Sequence, residues 1–169
     1  MPTQNQGKFT SKAYMKELKI FYRFAIQSFI FLMLAVLGMT YLADSEPPEL
    51  NLAQGVFVLI MLAVFIGVYI GGRLIRRKIY KRILRVTSLQ QKLQKYRIYF
   101  LTSLLSWKLI GLLGMVGFYV SENYVFLVFG VLALISLFIQ KPNLEKLTKE
   151  AVLSSAQSLK MQDPKFIIS

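Results

Sequence analysis

The stretch Leu52–Arg85, LAQGVFVLIMLAVFIGVYIGGRLIRRKIYKRILR, decides the fold. Its first 21 residues, Leu52–Gly72, carry no charge, and seven of the next thirteen, Arg73–Arg85, are Lys or Arg. At ~1.5 Å of rise per residue, an apolar core of about 30 Å takes roughly 20 residues of helix. An uncharged run of that length ending in a block of cations reads as a membrane-spanning helix that stops at a charged surface. Inside lipid the backbone satisfies its own hydrogen bonds only as a helix or a closed barrel. A barrel would show alternating segments of about ten residues, and this stretch does not alternate.

Three further runs match it: Ile20–Leu42, Ile98–Val120 and the shorter Tyr124–Gln140. The expected fold is all-α, a polytopic membrane protein with four transmembrane helices in a bundle over residues 20–140. A cytoplasmic N-terminal segment, 1–19, precedes the bundle, and a basic cytoplasmic hairpin, 73–97, divides it. A cytoplasmic tail, 141–169, follows. The first run is expected to be retained as a helix in the mature protein. It is longer than the roughly 7 to 15 apolar residues of a signal peptide, and Tyr41-Leu42-Ala43 lacks the small–x–small cleavage pattern.

Composition supports this reading. Of 169 residues, 55% are hydrophobic, yet 21 Lys and Arg against 8 Asp and Glu give a net charge of +13. A mean hydropathy of +0.50 coexists with that charge where apolar spans alternate with basic loops. The chain has no Cys and no His. It therefore offers no disulfide, no thiolate metal site and no imidazole base. The expectation is a protein that is not an enzyme and holds neither metal nor cofactor.

Charge sets the orientation. Lys8, Lys12, Lys16, Lys19 and Arg23 precede or open the first run, the hairpin carries ten cations, and Lys141, Lys146, Lys149, Lys160 and Lys165 follow the fourth run. Twenty of the 21 basic residues thus lie on one side, whereas the other connections carry Asp44, Glu46, Glu49 and Glu122 and no cation. The positive-inside rule places both termini in the cytoplasm. The outer connections are short: Ala43–Asn51, with Pro47-Pro48, and the turn Ser121–Asn123.

A shift of 76 residues aligns Lys16 with Lys92, Lys19 with Lys95, Phe24 with Phe100 and Leu37-Gly38-Met39 with Leu113-Gly114-Met115. Read as a repeat, this is a parallel duplication of a two-helix hairpin about an axis along the membrane normal. Apolar helices also match this well by chance.

The second run continues as helix beyond Gly72, because Ile75, Ile79, Ile83 and Val86 keep one apolar stripe among the cations. Arg73, Arg76, Arg77, Lys78, Lys81, Arg82 and Arg85 are candidates for contact with anionic lipids at the cytoplasmic face, besides enforcing topology. No nucleic-acid partner is expected, since no recognition fold or stacking platform accompanies the charge. Thr87-Ser88 breaks the helix and can cap the next, which carries Leu89, Leu93 and Tyr96 on one face. In the tail, Asn143 caps a helix with Leu144, Leu147, Ala151 and Leu159 on one stripe, and Asp163-Pro164 ends it. The apolar end Phe166-Ile167-Ile168 reads either as a docking peptide for a partner or as part of a tail lying on the bilayer or on the hairpin.

Lys108 is the one charge deep in a run. Ten residues past Ile98, it is ~15 Å along the helix, near the midplane. An intramembrane Lys costs roughly 2.5 to 3.5 kcal/mol and is by default a candidate site. Gln27 and Ser28 lie at comparable depth and can accept its hydrogen bonds. Three readings compete: snorkelling, pairing with a carboxylate on another subunit, or binding an anionic or carbonyl-bearing ligand in the bundle. Gly67 and Gly71 form a GxxxG step, and Gly111, Gly114 and Gly117 a close stripe; both are candidate helix-packing surfaces, within the chain or in a homo-oligomer.

The turn Val120-Ser121-Glu122-Asn123 between two Leu- and Gly-rich runs, and the exit Gln140-Lys141-Pro142 before a Leu-bearing helix from Leu144, resemble a family of small bacterial integral membrane proteins with four helices. The resemblance covers about a third of the chain. It implies an architecture and a bacterial inner-membrane location, and no established activity. It also implies an acid where Lys108 stands. The expected function is a non-enzymatic accessory or assembly subunit of a membrane complex; the alternative is a small oligomeric transporter or channel component with Lys108 in an anion path.

Overall fold

The computed structural model describes residues 9–42 and 52–168. The acidic, proline-bearing connection over 43–51 lies outside the described residues, as does Lys8. Six helices account for most of the chain: α1 Ser11–Leu42, α2 Leu52–Leu84, α3 Leu89–Ser121, α4 Tyr124–Ile139, α5 Leu144–Glu150 and α6 Ser155–Gln162. Three of them, α1, α2 and α3, are long and apolar enough to cross a membrane. The 16-residue α4 adds a fourth when taken with α5, to which it is bent by 94°. The all-helical expectation holds, with one addition. Strands β1, Phe9–Thr10, and β2, Ile167–Ile168, pair antiparallel, Phe9 against Ile168.

The helix ends follow local chemistry. α2 runs on through its basic segment to Leu84 and buries Ile83 completely, whereas Ile75 on the expected stripe is exposed. Thr87-Ser88 breaks the chain as expected, and Ser88 takes the extended N-cap conformation, although its hydroxyl makes no capping bond. Between α3 and α4, Glu122 adopts the left-handed conformation and its N–H reaches the carbonyl of Phe118 at 2.7 Å. The side chain of Asn123 then accepts from the N–H of Val125.

The tail departs from one continuous helix. It breaks after Glu150 at Val152, whose φ of 50° is left-handed, and restarts at a capping box between Ser154 and Gln157. Leu147 and Ala151 are buried as the stripe predicts, whereas Leu159 is exposed.

α3 is the axis of the molecule. It buries Leu93, Tyr96, Phe100, Leu104, Ile110, Met115 and Phe118, packs tightly on both α2 and α4, and also meets α1. α1 and α2 flank the α3–α4 pair and, among the described residues, barely touch each other. The two hairpins are therefore not packed alike, which tells against the duplication. A methyl added at Gly114 would meet the backbone of Phe126 at 2.9 Å, yet one at the aligned Gly38 would meet nothing within 4 Å. Met115 is fully buried and its counterpart Met39 is 60% exposed.

α1, α2 and α3 extend past the end of α4, and the tail fills the space this leaves. Tyr22 donates to the carbonyl of Phe138 at the base of α4, while Tyr14 donates to the carbonyl of Leu93 at 2.9 Å. Lys92 reaches the carbonyl of Val152, and the Gln157 amide donates to the carbonyl of Thr87. Ser11 is buried and donates its hydroxyl to the carbonyl of Asp163, with its N–H on the carbonyl of Phe166. The tail is thus folded under the bundle and zipped to the N-terminal strand. Ile168 is buried there, while Ile167 is left exposed.

Candidate functional site

Two polar clusters interrupt the apolar surface, and the register of the helices places both. α2 and α3 run antiparallel, with Gly72 against Ser106, Arg76 against Ser103, and Tyr80 beside Tyr99 at 6.4 Å between ring centres. Ser106 is therefore level with the end of the uncharged run of α2. Lys108, two residues on, is ~3 Å from that level at the helical rise. The first turns of the Ile98–Val120 run lie beside Arg76 and Tyr80.

Lys108 is half-buried between α1 and α3. Its Nζ donates to Ser28 Oγ at 2.7 Å and lies 5.5 Å from the centre of the Phe24 ring. Ser28 in turn donates to the carbonyl of Phe24 at 2.7 Å. Gln27 is exposed on another side of α1 and takes no part. Of the two acceptors expected for Lys108, the structure brings Ser28 to it. Among the described residues no carboxylate pairs with Lys108.

The second cluster is a groove of about 500 Å³ on the α2–α3 seam, lined by Arg73, Arg76, Arg77, Tyr80 and Tyr99. Arg76 is fixed there, Nε on the carbonyl of Gly72 at 3.3 Å and a terminal nitrogen on Ser103 Oγ at 3.0 Å. Arg73 and Arg77 are exposed beside it. The other basic candidates on α2 do not line this groove. Lys78, Lys81, Arg82 and Arg85 are exposed on the rest of the helix. Tyr80, Tyr99 and Ser103 were not singled out in the sequence. Tyr80 follows Arg76 by four residues and was findable on that face, whereas Tyr99 and Ser103 join the site only through the α2–α3 register.

Nearby, Tyr96 donates to Glu150 Oε2 at 3.1 Å. Tyr96 precedes the apolar run that begins at Ile98; burial, and then the adjacent Glu150 carboxylate, hold its phenol well above the usual range. Glu17 and Arg97 pair at 2.6 Å across the α1–α3 contact.

The glycines divide sharply. A methyl on Gly111 would strike the Phe29 ring, one on Gly114 the backbone of α4, and one on Gly117 the Phe126 ring at 2.7 Å. These three belong to packing within the chain. Gly67 and Gly71 would meet nothing within 4 Å. Their face of α2 is left uncovered, and the flanking Ile60, Val64, Ile66 and Ile70 are exposed. No family model, curated protein or solved structure matches the chain, so the likeness read in its second half shows no family.

Proposed function

We infer that the chain is an integral membrane protein of four spans in a bacterial inner membrane, with both termini on the cytoplasmic side. Its role is that of a non-enzymatic accessory or assembly subunit of a membrane complex. The observation that carries the role is the uncovered Gly67–Gly71 face of α2. In lipid, helices gain no hydrophobic drive to associate, and small residues favour contact by letting backbones approach. The α3 glycines serve that purpose inside the bundle, so the α2 pair is available to a helix of another chain. The antiparallel pairing of β1 with β2 supports termini on a common side, and the cations of the hairpin and tail favour the cytoplasmic one.

The transport reading draws no support from Lys108, whose ammonium is already engaged by Ser28 and lies against Phe24, itself 68% exposed. The centre of the bundle is closed by Phe29, Met115 and Phe126, each fully buried. The test is purification from native membranes at endogenous abundance in mild detergent, for the parent chain and for Gly67→Leu/Gly71→Leu. The parent chain is expected to bring a partner in fixed stoichiometry and the variant to lose it. A parent chain that reproducibly elutes alone would overturn the role.

A further inference from the structure

The Arg73–Arg76–Arg77 groove is too specifically built to be only a topological signal, and we propose that it is a binding site for the phosphate headgroup of an anionic membrane lipid. The proposal rests on the membrane reading above and is independent of the assembly role. Three guanidinium groups share one groove, and among the described residues none has a carboxylate within ion-pairing distance. Like charges gathered without a counter-charge repel one another, and an anion seated among them removes that repulsion. Glu150, beyond Tyr99, is itself held by Tyr96 and Lys146.

The geometry suits phosphate. Arg76 spends two of its N–H groups on Gly72 and Ser103, which fix the plane of the guanidinium and leave three of five donors free. Arg73 and Arg77, four residues apart on the same face, add two more forks of the kind that bind phosphate oxygens in pairs. Tyr80 and Tyr99 complete the lining, and a phenol is a neutral donor.

Position selects a lipid over a soluble phosphate. The groove opens where the uncharged run of α2 ends, one turn below Tyr69, whose ring meets Trp107 at 6.1 Å. Above it Tyr69, Ile70 and Leu105 leave apolar side chains exposed, a surface along which acyl chains can lie while the headgroup reaches the arginines.

The experiment titrates phosphatidylglycerol or phosphatidylcholine into the purified full-length protein in neutral detergent and counts retained lipid by native mass spectrometry. The parent chain is expected to retain phosphatidylglycerol selectively. Arg73→Gln/Arg77→Gln is expected to lower that retention about tenfold, and Lys78→Gln/Arg85→Gln, which removes equal charge outside the groove, about twofold or less. If the double variant does not insert, Arg77→Gln alone serves, with an expected loss of about threefold. Equal loss from both pairs would overturn the site in favour of diffuse charge. Displacement of the lipid by an equal concentration of inorganic phosphate would overturn the lipid as its ligand. No partner is present in this assay, so failure here leaves the assembly role standing, and an absent partner leaves this result standing.

Discussion

At the scale of single residues, two side chains sit in conformations or surroundings that ordinary preference opposes. Lys108 places an ammonium in an apolar wall, with Ser28 Oγ as its hydrogen-bonding partner. Ser28→Ala removes that acceptor, and stranding a half-buried charged donor costs about 1 to 2 kcal/mol. In a Lys108→Leu background the same exchange is expected to cost less than about 0.5 kcal/mol, since the serine then loses only its bond to its own helix. Unfolding of the four chains in mixed micelles measures the difference; equal losses in both backgrounds would show that the two residues are uncoupled. Val152 is the second case, a β-branched residue at φ 50°. The left-handed region costs roughly 1 to 2 kcal/mol for a residue with Cβ. Val152→Gly relieves this, and even after the greater freedom glycine gives the unfolded chain it is expected to stabilise by about 1 kcal/mol in the same assay.

At the scale of elements, chemically equal glycines have opposite roles. Gly114 lets α3 approach the backbone of α4 at a separation that excludes a methyl group, while Gly67 faces open space. Gly114→Ala is expected to destabilise the isolated protein by about 2 kcal/mol, the usual penalty of overpacking a tight contact. Gly67→Ala should leave its stability unchanged or raise it by up to about 1 kcal/mol, because alanine is the better helix former. Thermal unfolding of the two variants side by side checks the contrast; a loss at Gly67 as large as that at Gly114 would mean that α2 packs with its glycine face inward. The sequence showed both glycine sets equally well. Which set was already used depended on the rotation of α2 about its axis, and the spacing of apolar residues cannot report rotation in a helix that is apolar all round.

At the scale of the molecule, the termini and the tail form one basal layer beneath the bundle. The pairing of Phe9–Thr10 with Ile167–Ile168, and the contact of Ser11 with Asp163, tie the first helix to the last segment. Both ends share a side with the α2–α3 turn, as the proposed topology requires. A chain without cysteine permits a clean test by single replacement. Lys12→Cys, Arg85→Cys and Lys165→Cys are expected to resist a membrane-impermeant maleimide in intact cells and to react after permeabilisation, and Glu46→Cys to react in both. Labelling of Lys165→Cys in intact cells would place the tail outside and overturn the arrangement.

What the sequence determined by itself was the helical class, the extents of the apolar runs, the break at Thr87-Ser88 and the continuation of α2 past Gly72. Each of these follows from local quantities: the length of an uncharged run, the spacing of an apolar stripe, the turn chemistry of a few residues. Ser28 as a partner for Lys108 was legible for the same reason, since depth along a helix is a count of residues. Tertiary structure alone decided the rest. It gave α3 its central place, set Gly72 of α2 against Ser106 of α3, and added Tyr99 and Ser103 to the arginines. It also folded the tail under the bundle. Those features depend on the register and rotation of one helix against another. Register is fixed by close packing at points such as Gly72 on Ser106 and Gly114 on Phe126, where two distant parts of the chain must fit and neither carries the information alone.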